Sequence, residues 1–80
     1  MRARAFVLIN LAAGASRDVL ARLKKMEFVA EVHAVSGPYD MVAIVNGATF
    51  NEIGVSVVEK IQPIPGIIKT ITCNVIFLEN

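Results

Sequence analysis

Val29-Ala30-Glu31-Val32-His33-Ala34-Val35, then Ser36-Gly37-Pro38-Tyr39-Asp40, then Met41-Val42-Ala43-Ile44-Val45: this central stretch decides the fold. Its first seven residues alternate. Ala30, Val32 and Ala34 share one side, and Glu31, His33 and Val35 share the other, which is the period of a strand. Gly37-Pro38 then turns the chain, because proline arrives with its φ already set and without a backbone donor. Met41–Val45 returns as a second, apolar strand, and Asn46-Gly47 ends it. The pair predicts a hairpin at the middle of the chain.

The flanks repeat one plan. On the N-terminal side, Ala5–Leu11 reads as a strand apolar on both alternating faces, as for a strand covered on both sides. Ala12-Ala13-Gly14-Ala15 breaks it, and Ser16 is the expected N-cap of a helix carrying Val19, Leu20, Leu23 and Met26 on one stripe. Arg17, Arg22, Lys24 and Lys25 stand mostly opposite, and the cations of the last turn suit the negative end of the helix dipole. On the C-terminal side, Thr49-Phe50-Asn51-Glu52 has the form of a capping box. The helix it opens places Phe50, Ile53, Val57 and Ile61 on one stripe. Gly54 inside it costs about 1 kcal/mol relative to alanine, which points to close packing there. Pro63, Pro65 and Gly66 stop the helix, and Ile67–Leu78 reads as a long final strand.

The order is β-α-β-β-α-β, a strand–helix–strand unit used twice. This predicts an α+β, ferredoxin-like fold: a four-stranded antiparallel sheet with both helices on one face. The other face is then bare in a lone protomer. Its expected members are Phe6, Leu8, Val35, Ile76 and Leu78, beside the polar Asn10, Glu31, His33, Thr70 and Thr72. A half-apolar face of this size calls for a partner, so dimerisation through the sheets is expected.

Size and composition agree. Eighty residues, 1–80, make a single domain with a small core, and 55% of them are hydrophobic. Cys73 is the only cysteine and His33 the only histidine, so neither disulfides nor a structural metal reinforce the fold. Oligomerisation remains as the reinforcement. A net charge of +1 without a basic stripe gives no footprint for direct nucleic-acid binding. The apolar runs are too short to span a membrane. Met1-Arg2-Ala3-Arg4 before an apolar run imitates a signal peptide, but cleavage there would remove a strand from a minimal domain. With a lone thiol, the expected location is the cytoplasm.

The chemistry-bearing residues are few. Ser36, Gly37, Pro38, Tyr39 and Asp40 form a turn rich in backbone donors, and Thr70 and Thr72 place hydroxyls on the last strand. Such donors could hold the carboxylate of a small zwitterion, and Asp40 could accept from its ammonium. Asp40 has a second reading, an acceptor for the turn's own backbone, and the threonines a second one as ordinary strand formers. Tyr39 reads as a lid or an interface anchor. No catalytic residue, cofactor or metal-ligand set is visible. His33 lacks a companion acid, base or ligand in the sequence pattern, and Cys73 reads as a small packed residue.

The run Val35–Met41, followed by Thr70-Ile71-Thr72 in the final strand, resembles the C-terminal effector domain of the leucine-responsive regulator (Lrp/AsnC) family, also called RAM. The likeness extends from Arg4 to Leu78. It implies a ferredoxin-like fold, dimers that assemble further into rings, and amino-acid effectors held between subunits near the loop joining the second and third strands. No helix-turn-helix accompanies the six elements, so the chain resembles the stand-alone RAM-type proteins. The expected function is an amino-acid-binding, oligomeric sensor or co-regulator of transcription or amino acid metabolism, not an enzyme, with full-length Lrp/AsnC relatives as potential partners. The alternatives are a small ferredoxin-like-barrel enzyme of the oxygenase type, using His33, and a purely structural assembly module.

Overall fold

The computed structural model describes residues 2–78; Met1 of the basic start lies outside the described residues. Strand β1 spans Ala3–Leu11, helix α1 Ser16–Lys24, β2 Val29–Ala34, β3 Met41–Gly47, helix α2 Phe50–Ser56 and β4 Ile67–Asn74. The strands form one antiparallel sheet in the order β2-β3-β1-β4. Each helix therefore crosses over one strand before the chain re-enters the sheet. This is the ferredoxin-like arrangement.

The core lies between the sheet and the helices. β1 contributes Ala3, Ala5, Val7, Ile9 and Leu11 to it, β3 contributes Met41, Ala43 and Val45, and β2 contributes Val32. Fully buried Ala5 and Ala43 leave room on the sheet for the helical side chains Val19, Leu23, Ile53, Val57 and Ile61. β1 is covered on one face only, not on both. The excess of apolar residues lies at the surface, where Phe6, Val35, Phe50, Val55, Val58 and Ile68 are exposed.

Four local readings change. Ala15, not Ser16, occupies the N-cap of α1, and no side chain caps that end. The capping box of α2 stands: Thr49 Oγ1 accepts from the Glu52 N–H at 3.0 Å, and Glu52 reaches back, its Oε1 accepting from the Ala48 N–H at 3.0 Å, one residue before the cap. Phe50 is 44% exposed and does not belong to the buried stripe. After Ser56 the helix widens into a π-helical turn, Val57–Ile61, in which the Gln62 N–H donates to the Val57 carbonyl at 2.8 Å. Residues spaced by four drift around an α-helix. The wider turn takes back the drift, so Ile53, Val57 and Ile61 all reach the core.

The fourth change concerns β4. Leu11 pairs with Ile67, but Asn10 pairs with Lys69, so Ile68 is an extra, bulged residue. A one-residue shift moves every later side chain to the opposite face. Thr70 and Thr72 stand opposite Ile9 and Val7, hence on the helix side. Ile71 and Cys73 stand opposite Leu8 and Phe6, on the open side. Thr70 and Thr72 are thus not members of the bare face. Ile76 and Leu78 are not either, because β4 ends at Asn74 and both are highly exposed beyond it. Cys73 is exposed rather than packed. The open face carries two cross-strand rows, His33-Val42-Leu8-Ile71 and Glu31-Ile44-Phe6-Cys73. Its centre is apolar and its β2 edge is charged.

Candidate functional site

The turn between β2 and β3 is built from backbone contacts to β1. The Val35 N–H donates to the Asp40 carbonyl at 3.0 Å and closes the hairpin. The Asp40 N–H donates to the Ile9 carbonyl at 2.9 Å. Asp40 Oδ2 accepts from the Leu11 N–H at 2.8 Å, beside the place where the β4 bulge interrupts the ladder. The carboxylate therefore satisfies a backbone donor at the irregular end of the sheet. Its turn-type role is real, but the donor comes from β1 and not from the turn itself.

Replacing Asp40 with alanine removes a charged acceptor from a part-buried amide. A hydrogen bond to a charged group contributes about 1.5–3 kcal/mol, so Asp40→Ala is expected to lose roughly that amount in urea unfolding. Asp40→Asn, which keeps an acceptor oxygen, should lose less. Equal losses would show that the Leu11 contact is not the cause.

Above this anchor, Ser36, Gly37 and Pro38 are exposed, and Tyr39 is half-buried. Gly37 has φ +137°, a region that side chains rarely adopt, and the Gly37–Pro38 peptide is cis. Asn10 Nδ2 lies 3.4 Å from the Pro38 carbonyl, a long contact. Asn10 was the signal to follow on β1: an amide in the otherwise apolar run 5–11, pointing to the open side with Lys69 opposite.

Thr70 and Thr72 lie two strands away, on the helix side of the edge strand β4. Thr70 is half-buried, and its Oγ1 accepts from Gln62 Nε2 at 3.0 Å. Gln62 was missed in the sequence because it sits between the helix and the Pro63–Gly66 stop. Thr72 is exposed. The turn and the two hydroxyls share one sheet but do not converge within a protomer, and its main concavities are lined by other residues.

His33 does have a companion: its Nε2 lies 3.1 Å from Glu31 Oε1. Both side chains are more than half exposed, so solvent screens the pair. Among the described residues no group of three potential metal ligands occurs, and no helix is long and apolar enough to cross a membrane.

Comparison with known proteins places these features in a family. The profile of the Lrp/AsnC ligand binding domain matches residues 4–77. An uncharacterized HTH-type transcriptional regulator of Pyrococcus furiosus is 35% identical over 71 residues, which is 85% of this chain and 47% of that protein. The chain spans less than half the length of the curated relatives it matches. The crystal structure of FFRP-DM1 superposes with a TM-score of 0.88 at 35% identity, covering 92% of this chain and 99% of the other. A Neisseria meningitidis transcriptional regulator solved as a complex with L-methionine has the same fold, with a TM-score of 0.87 at 18% identity over 98% of this chain and 52% of the other. The chain belongs to the Lrp/AsnC ligand-binding domain family.

Proposed function

We propose that this domain is an amino-acid sensor that works as an oligomer and holds its effector between protomers. In this reading the backbone N–H groups of Ser36, Gly37 and Tyr39 meet the carboxylate of the ligand. The exposed hydroxyl of Thr72, from a neighbouring protomer, completes the site, while the Thr70 hydroxyl is taken up by Gln62. The observation that carries it is the division of labour at the turn. Asp40 is anchored to Leu11, while Ser36, Gly37 and Pro38 stay exposed on that anchor. Backbone N–H groups in such turns are good anion partners. The L-methionine complex of the Neisseria relative supports an amino acid as the ligand class. The dimer forms through the open sheet face. Binding at a subunit contact then shifts the assembly equilibrium, because a ligand pulls toward the state it binds better. Coupling to a DNA-binding relative by mixed assembly would turn that shift into control of transcription.

A thermal-shift screen against the twenty amino acids tests this. A ligand at 100 times its dissociation constant adds about 2.7 kcal/mol of stability. For a domain of this size that is a shift on the order of 10 °C. Thr72→Val, which keeps the shape of an exposed side chain, should abolish the shift and leave the ligand-free melting temperature unchanged. No shift with any amino acid, in a protein whose melting is well resolved, would remove the sensing reading.

A further inference from the structure

The helix that begins at Phe50 has an outer face without a partner. Phe50, Gly54 and Val58 recur at intervals of four, flanked by Val55. Phe50, Val55 and Val58 are all more than two-fifths exposed. Gly54 lies at the centre of this face, and nothing comes within 4 Å of where its Cβ would be. The close packing that a mid-helix glycine suggests is therefore not supplied by the protomer. Asn51, Glu59 and the four apolar-face residues line one open concavity of about 390 Å³.

We propose that this face packs against the same face of a second copy of this chain, with the helices crossing antiparallel at Gly54. Two-fold contacts are self-complementary, so each residue pairs with its mirror about the crossing point. Counting outward from Gly54, Val58 meets the second copy's Phe50. Glu59 falls opposite the second copy's Thr49. Arg2 lines the same shallow concavity as Thr49 and Phe50. The acidic end of one face thus meets a basic group of the other, and Glu59 has no ion-pair partner among the described residues. Without a Cβ at the crossing, the two helix axes reach the short end of the usual 8–10 Å range. The contact does not depend on the amino-acid reading. It uses the side of the protomer away from the open sheet face, so both contacts can form at once. Two different two-fold contacts on one protomer build rings or filaments out of dimers.

The test is sedimentation equilibrium on variants that isolate this contact. Leu8→Lys disables the open sheet face, so this chain should still form dimers at high concentration, through α2 alone. Adding Gly54→Leu should lower that association constant at least tenfold. The urea midpoint should not fall, since leucine is the better helix former and has open space. Glu59→Arg should weaken association about threefold, and the double exchange Arg2→Glu/Glu59→Arg should restore it. In the otherwise unaltered chain, Gly54→Leu should reduce the largest species to the sheet dimer. A Leu8→Lys protein that stays monomeric up to about 1 mM, or an association unchanged by Gly54→Leu, would overturn the proposal.

Discussion

Gly66→Ala is expected to lower the unfolding free energy by about 2–5 kcal/mol, a large share of what an 80-residue domain has. Two independent effects act at this position. Gly66 has φ +99°, where a side chain is strained whatever the space around it. An added Cβ would also stand 2.6 Å from the Cβ of Ala15, a distance real structures do not tolerate. The backbone cannot easily yield, because the Gly66 carbonyl accepts from the Ala12 N–H at 2.8 Å and ties the β4 entry to the β1–α1 turn. Ala15 is the N-cap of α1, so a shift there carries into the helix and its buried Val19 and Leu23. The two effects can be separated in urea unfolding. Ala15→Gly should relieve the clash in a Gly66→Ala background and recover part of the loss, while the strain from φ remains. If Gly66→Ala alone costs less than 1 kcal/mol, the close approach of Gly66 to Ala15 is wrong.

Ser16 looks like the better cap, but Ala15 takes that position and lies against Gly66, a tertiary approach across about 50 residues of chain that the sequence pattern does not display. Element order and the identity of the core were legible because they rest on local periodicity: β1 and β3 alternate between buried and open positions along their length. What the sequence did not disclose were the two places where periodicity is interrupted. The Ile68 bulge looks like one more apolar strand residue, yet it reverses the faces of Thr70, Ile71, Thr72 and Cys73. The π-helical turn is equally silent, since Ile53, Val57 and Ile61 simply look like a slightly slow helical stripe. For the site, Val35–Asp40 stood out because glycine and proline punctuate two apolar runs. The Leu11 N–H that holds Asp40 could not be seen, because an orphan backbone donor has no side-chain signature.

In a Gly54→Leu background, where the α2 contact is disabled, Leu8→Lys is expected to convert the proposed sheet dimer to monomers, with an association constant more than 100-fold lower, while each protomer keeps its fold. Leu8 lies on the central strand β1, between Val42 and Ile71 in its cross-strand row, with the Phe6–Ile44 row beside it. No helix covers this side, so the change leaves the core residues Val7 and Ile9 in place. In a face-to-face dimer the lysine appears twice, near the middle of the buried area, far from the Glu31 and His33 rim. A buried ammonium without a partner costs several kcal/mol, and symmetry doubles it. A factor of 100 needs only about 2.7 kcal/mol. Glu31→Lys makes the contrast. It places the same charge at the β2 edge, where both members of the Glu31–His33 pair are more than half exposed. There it should change the association constant by less than about tenfold. If the two substitutions weaken association equally, the apolar centre is not the contact. If Leu8→Lys leaves the mass unchanged in that background, the protomers associate through a surface other than the sheet face or α2, and the exposed Phe6 and its neighbours require a different partner.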